Sequence, residues 1–422
     1  MKRALIALLL GLAAVVAWIW WANLRGEERI DAAPPAAVSA PSAERGAYLA
    51  RAGNCMACHT ERGGAPFAGG RAIDTPFGTV FTSNLTPDAR TGIGQWSASH
   101  FWRAMHNGRS RDGRLLYPAF PYPHYTRITR ADSDALFDYL RTLPAVERAN
   151  SEHKLRWPYS TQTALAVWRA LYFKPGAHEE QPARNAQWNR GSYLVTGLGH
   201  CSACHSTRNA LGASDISDLS GGMVPMQNWY APSLASSAEA GVAKWPLDDI
   251  TRLLHTGAAP QATVLGPMAE VVLHSTQHLA PDDLKAMAVF LKDLPEVPPP
   301  PAPSRAPVSD TVAQRGAKLY EQHCAQCHGE QGLGVPGAYP ALKANRAVLL
   351  PVTANLVQVV LGGGFAPATA GHPRPFGMPP YATVLSDADV AAVLTHIRTS
   401  WGNQAGAVSE LAVAQQRGST TN

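Results

Sequence analysis

The feature that most constrains this chain is a five-residue string that occurs three times: Cys55-Met56-Ala57-Cys58-His59, Cys201-Ser202-Ala203-Cys204-His205 and Cys324-Ala325-Gln326-Cys327-His328. The strings use all six cysteines of the 422 residues, so none is left over for a disulfide or a free thiol. Zinc is a poor match. A closed zinc site needs four ligands, commonly two C-x-x-C pairs within about 20 residues, and here successive pairs stand 146 and 123 residues apart. A thioredoxin-like pair needs a βαβ setting, which the sparse strand-like alternation does not supply.

Covalent haem attachment fits the string. Two sulfurs three apart on a helical turn meet the two vinyl groups of one porphyrin, and the next residue, histidine, aims its imidazole at the iron. The chain is therefore expected to carry three covalently bound haem c groups, on Cys55 and Cys58, Cys201 and Cys204, and Cys324 and Cys327. His59, His205 and His328 are the expected proximal ligands.

Around each string the same plan repeats. An Arg-Gly pair opens it (Arg45-Gly46, Arg190-Gly191, Arg315-Gly316), one helical segment leads to the cysteines, and an amphipathic helix behind an acidic turn closes it. The closing helices are predicted over 132–143, 281–294 and 386–399. In the third, Val390, Val393, Leu394 and Ile397 recur at helical spacing, and Ser386 with Asp389 has the form of a capping box. The divisions are a span at 4–22, a linker at 23–43, and haem domains at 44–150, 181–294 and 309–401. A connector helix at 151–180, a Pro-rich linker of polyproline II type at 295–308 and a disordered tail at 402–422 complete them.

Each iron needs a sixth ligand, and a thioether there favours Fe(II) and raises the potential. Position in the repeat, in a loop just before the closing helix, selects Met378 in the third domain and Met268 in the second. Met223, Met226 and Met287 lie elsewhere and read as packing residues. The first domain has Phe120 where methionine is due. His124, four residues on in the same loop, is the preferred substitute. The alternatives are Met105-His106 on the preceding helix, of which Met105 reads as core, or a five-coordinate iron.

At the N-terminus Lys2 and Arg3 precede nineteen uncharged residues, Ala4 to Ala22. At about 1.5 Å each these nearly match a hydrocarbon core of about 30 Å. Trp18, Trp20 and Trp21 sit at the far end, at headgroup level. The positive start leaves the N-terminus in the cytoplasm and the body outside, an inner-membrane protein facing the periplasm. A signal peptide cleaved near Ala37-Val38-Ser39-Ala40 is the competing reading. Net charge is +5 without a basic block, which excludes the clustered stripe of a nucleic-acid binder.

Several longer strings extend the pattern. They include Phe77-Gly78-Thr79 with Ser83-Asn84-Leu85-Thr86-Pro87, Gly92-Ile93-Gly94-Gln95-Trp96, Trp229-Tyr230-Ala231-Pro232-Ser233-Leu234, and the Met268 loop running on to His274-Ser275-Thr276-Gln277. With them, residues 44–401 resemble the triple-haem cytochrome c subunits of bacterial periplasmic dehydrogenases. The resemblance implies an all-α fold of three tandem class I cytochrome c domains behind a single N-terminal transmembrane helix. It also implies haem ligation by Met268 and Met378, and a catalytic dehydrogenase subunit as partner. The quinone pool, a small cytochrome c or a terminal oxidase would accept the electrons. Subunits serving quinoprotein alcohol and flavin gluconate dehydrogenases look like Tyr-Pro-Ala-Met-Pro-Tyr where this chain has Phe120, with His124 downstream. That form is similar to subunits of molybdenum hydroxylases acting on aldehydes or N-heterocycles. The expected role is electron transfer without substrate chemistry. A catalytic multihaem enzyme such as a peroxidase is the alternative class.

Overall fold

The structure, a computed structural model, describes residues 1–31, 37–298 and 308–420 and is built mainly of helices. Most of the Pro-rich linker, including Pro299-Pro300-Pro301, lies outside the described residues, as does the middle of the N-terminal linker. By backbone contact the chain divides into two compact units. One is Met1–Asn185 with Ser192–Ala203 and Arg208–Ile216; the other is Ala186–Gly191, Cys204–Thr207 and Ser217–Asn422.

The repeated plan of the sequence emerges as helix pairs. Helix Ala40–Ala52 packs on Arg130–Arg141 in the first unit. In the second unit the start of Ala186–Tyr193 packs on Pro281–Lys292, and Asp310–His323 packs on Asp387–Thr399. The Arg-Gly pair explains each crossing. A β-carbon on Gly46, Gly191 or Gly316 would overlap the carbonyl oxygen of Ala135, Ala286 or Ala392 respectively, so only glycine allows the backbones to approach this closely. The preceding arginine reaches over the crossing to an aspartate in the first turn of the closing helix. Arg45 Nε donates to Asp132 at 2.7 Å, Arg190 makes two bonds of 2.7 Å to Asp283, and Arg315 Nε donates to Asp389 at 2.9 Å.

The closing helices bury their stripes. In the third, Val390, Val393, Leu394 and Ile397 are all buried, and Ser386 and Asp389 form the expected capping box. Full burial of such side chains contributes roughly 1.5–3 kcal/mol each. Strands are short. Ala72–Thr75, Gly78–Phe81 and Lys154–Leu155 make a three-stranded sheet in register Ile73↔Val80 and Thr79↔Lys154, and the other described sheets are two-stranded hairpins.

Two expectations change, at residues 23–31 and at the tail, and the connector helix acquires a packing partner. Residues 23–31, expected as free linker, are tied into the first unit: Asn23 is buried and Glu27 pairs with Arg103 and Arg109. The connector helix, observed at Gln162–Tyr172, packs on the N-terminal helix Lys2–Leu24. The tail is ordered where disorder was expected. Glu410–Thr420 is a helix that buries Val413 completely, while Arg417 Nε donates to Asp387 at 2.6 Å. One fitted valine and one ion pair leave no periodic trace in a sequence.

Candidate haem-binding sites

The first string forms a helical turn, Cys55–His59; Cys201–Ala203 is a 3₁₀ turn, and Ala325–His328 a further helical turn. All six cysteines are free of disulfides. Burial and the neighbouring Cys58 push the Cys55 thiol up to about 12, and burial with Cys327 pushes Cys324 up to about 11. Among the described residues no group of three or more His, Cys, Asp or Glu side chains is placed to hold a metal ion.

The three histidines share one geometry. Nδ1 of His59 lies 2.8 Å from the carbonyl of Ser83, that of His205 2.7 Å from Pro232, and that of His328 2.9 Å from Pro340. A carbonyl only accepts, so each Nδ1 carries the proton and each Nε2 is left with its lone pair. Burial, only partly offset by that hydrogen bond, holds all three imidazoles below their ordinary pKa and hence neutral. A neutral, backbone-oriented imidazole with Nε2 open is the form that ligates iron. The residues fit haem c at all three strings. In the first two, an arginine steadies the turn by donating to the carbonyl of the residue before the second cysteine: Arg71 to Ala57 and Arg208 to Ala203.

On the distal side, Met378 lies on the short strand Gly377–Met378, paired with Gly364, and packs against the same buried cluster as Cys324, Ala325 and Tyr381. The Tyr381 hydroxyl donates to the carbonyl of His323, beside the third string, at 2.7 Å. Met268 is half-buried in the first turn of helix Pro267–His274, after Gly266, whose φ of +48° keeps its backbone against the Trp229 ring. Met105 and Met287 are core residues, whereas Met223 and Met226 are exposed.

His124 is buried on a short helix, Tyr122–Tyr125, with Nε2 2.8 Å from Ser202 Oγ. Ser202 Oγ itself donates to the carbonyl of Ile216, so it accepts from His124. Nδ1 of His124 is buried and has no hydrogen-bond partner. Burial, then the charges of His200, Arg208 and Arg127, pull its pKa down to about 3. The loop thus places His124 against the second string. Its neighbour Tyr125 borders the first, where its hydroxyl approaches the carbonyl of Gly53 at 3.4 Å and the nearby Cys55 and Cys58 add to the effect of burial on the phenol. Nothing in the sequence links residue 124 to residue 202, and this contact was not foreseeable from spacing.

A helical scaffold that sets a cysteine pair beside a neutral imidazole, with a thioether packed near one such pair, defines a c-type cytochrome. Residues 43–144 and 313–401 match the cytochrome c family. The chain is 38% identical over 392 residues to the cytochrome c subunit of the quinone alcohol dehydrogenase of Komagataeibacter europaeus, covering 89% of this chain and 84% of that one. It is 37% identical to the gluconate 2-dehydrogenase cytochrome c subunit of Pantoea cypripedii, covering 86% of each. Against a nicotinate dehydrogenase subunit of Pseudomonas putida it is 42% identical over 369 residues, 85% of this chain but 30% of that longer protein. The chain belongs to the family of dehydrogenase cytochrome c subunits, which are electron-transfer proteins.

Proposed function

We propose that this chain is a three-haem electron wire, anchored by its N-terminal helix in the bacterial inner membrane with its body in the periplasm. It takes electrons from a catalytic dehydrogenase subunit and passes them to the respiratory chain. The observation that carries the three-haem reading is the Nδ1-to-carbonyl geometry repeated at His59, His205 and His328. The repeated Arg-Gly crossings support three tandem domains. The haems supply one-electron redox chemistry; the protein orients their ligands and excludes water from them. Met268 and Met378 are the proposed sixth ligands in the second and third domains. In the first domain His124 is the proposed sixth ligand; its Nε2 is engaged by Ser202 of the second string, so Nδ1 is the nitrogen left for that role. His/His ligation would be distinguished from His/Met by the near-infrared bands of the oxidised protein. The haem count is tested by pyridine haemochrome assay per chain: three are expected, falling to two in C201A/C204A. A full count in that variant would sink the assignment at the second string.

The favoured partner is a molybdenum hydroxylase acting on an aldehyde or N-heterocycle. Phe120 and His124 support it, as does the 42% identity to a nicotinate dehydrogenase subunit. The match along 84% of an alcohol dehydrogenase subunit favours a quinoprotein partner instead. Capture of the chain from gently solubilised membranes decides between them: molybdopterin in the co-purifying subunit supports the first, pyrroloquinoline quinone or flavin the second.

A further inference from the structure

The helix Lys2–Leu24 is exposed along residues 2–18 and is covered along one stripe near its end, at Ile19, Ala22 and Asn23. The element that covers it is the helix Gln162–Tyr172. Asn23 Nδ2 donates to the carbonyl of Ala166 at 2.9 Å, and Asn23 Oδ1 accepts from Arg169 Nε at 2.9 Å. Arg169 is almost wholly buried, its guanidinium lying over the rings of Tyr122 and Phe173. Beyond the helix, Arg25 donates to the carbonyl of Phe173 at 2.8 Å, and Glu27 sits between Arg103 and Arg109 at 3.4 and 3.0 Å. The exit of the N-terminal helix is therefore fixed to the first unit by buried polar groups on both sides.

That fixes a level. Nineteen apolar residues rise about 28 Å, close to the thickness of a hydrocarbon core, so Asn23 and Ala166 lie at its rim. The exposed indoles of Trp20 and Trp21 mark the same level. The helix Gln162–Tyr172 buries Leu165, Arg169 and Ala170 in the body, yet leaves Val167, Leu171 and Tyr172 exposed at i, i+4 and i+5. Trp168 pairs with Tyr172, and Lys174 follows. An apolar strip ending in aromatic and cationic groups, beside the exit of a membrane span, matches a helix lying in the headgroup layer.

We propose that the helix Gln162–Tyr172 rests in the same bilayer that the N-terminal helix crosses, seating the first haem-bearing part of the protein on the membrane surface. The partner is the lipid itself. The proposal rests on the reading of Lys2–Leu24 as a retained membrane span. The full chain is incorporated into nanodiscs containing a phosphatidylcholine with a diazirine near the carbonyl end of one acyl chain, irradiated, and mapped by peptide mass spectrometry. Label is expected on both Lys2–Leu24 and Gln162–Tyr172, with the second label lost in V167E/L171E while the haem spectrum is unchanged. Label on Lys2–Leu24 alone overturns the proposal and leaves the span intact, a face then free for the dehydrogenase. Absence of label from Lys2–Leu24 overturns the reading of the span, and the proposal with it.

Discussion

Gly46, Gly191 and Gly316 carry a demand that a single β-carbon tests. At each, an added methyl group meets a backbone carbonyl of the facing helix, and backbone cannot step aside as a flexible side chain does. G46A is expected to destabilise by about 1–3 kcal/mol, read from denaturant unfolding followed at the Soret band. G176A, where a β-carbon meets nothing within 4 Å, should leave the midpoint unmoved. Equal midpoints for the two variants would mean that the helices do not cross this closely. The Arg-Gly pair was legible as a repeat, because identity at fixed spacing needs no structure. Its cause was not, because the carbonyl it accommodates lies 89 residues away, at Ala135 in the first repeat. His124 shows the same limit: its loop could be read from the repeat, whereas its bond to Ser202 spans 78 residues.

Elements whose stability is local were readable, and the third closing helix is the clearest case. Its cap and its stripe lie within a dozen residues, and both form as expected. Asp389 is held below its ordinary pKa, first by the Ser386 hydroxyl and further by the Ser386 backbone and Arg315, against the opposing effect of burial. The unfolded chain thus takes up this proton at a higher pH than the folded chain. The stabilisation is present above the ordinary aspartate value and is lost as pH falls through the lower folded value. S386A should cost about 1 kcal/mol near neutral pH. The gap from the parent protein should narrow, without closing, as pH drops below the usual aspartate range in thermal melts along an acid series. The Asp389 N–H bond to the Ser386 hydroxyl does not titrate, whereas the hydroxyl's bond to the carboxylate does. A gap that holds undiminished at low pH would separate the cap from the Asp389 carboxylate. The tail helix Glu410–Thr420 lacked any such local signal, since its order comes from Val413 and Arg417 meeting the body.

At the scale of the molecule, the segment that follows the N-terminal apolar helix is part of the fold of the first unit. Arg169 is nearly inaccessible, and Arg103 and Arg109 are 12% and 15% exposed. Their partners Asn23 and Glu27 come from the segment that a cleaved leader ending near Ala40 would remove. Taking away one side of a largely buried charged network leaves the other side desolvated, at about 3–5 kcal/mol for a fully buried pair and less here in proportion to exposure. Two exported forms behind a foreign cleavable leader separate fold from anchor. One begins at Asn23 and keeps the polar lock; the other begins at Ala37 and loses it. The first should retain the melting temperature of the full chain in detergent, and the second should melt several degrees lower, with the loss of structure beginning in the first unit. If both melt together, the lock contributes nothing and cleavage near Ala40 becomes compatible with the fold. If only the shorter form is weakened, residues 23–31 are required to hold the first unit, and processing near Ala40 is incompatible with its stability.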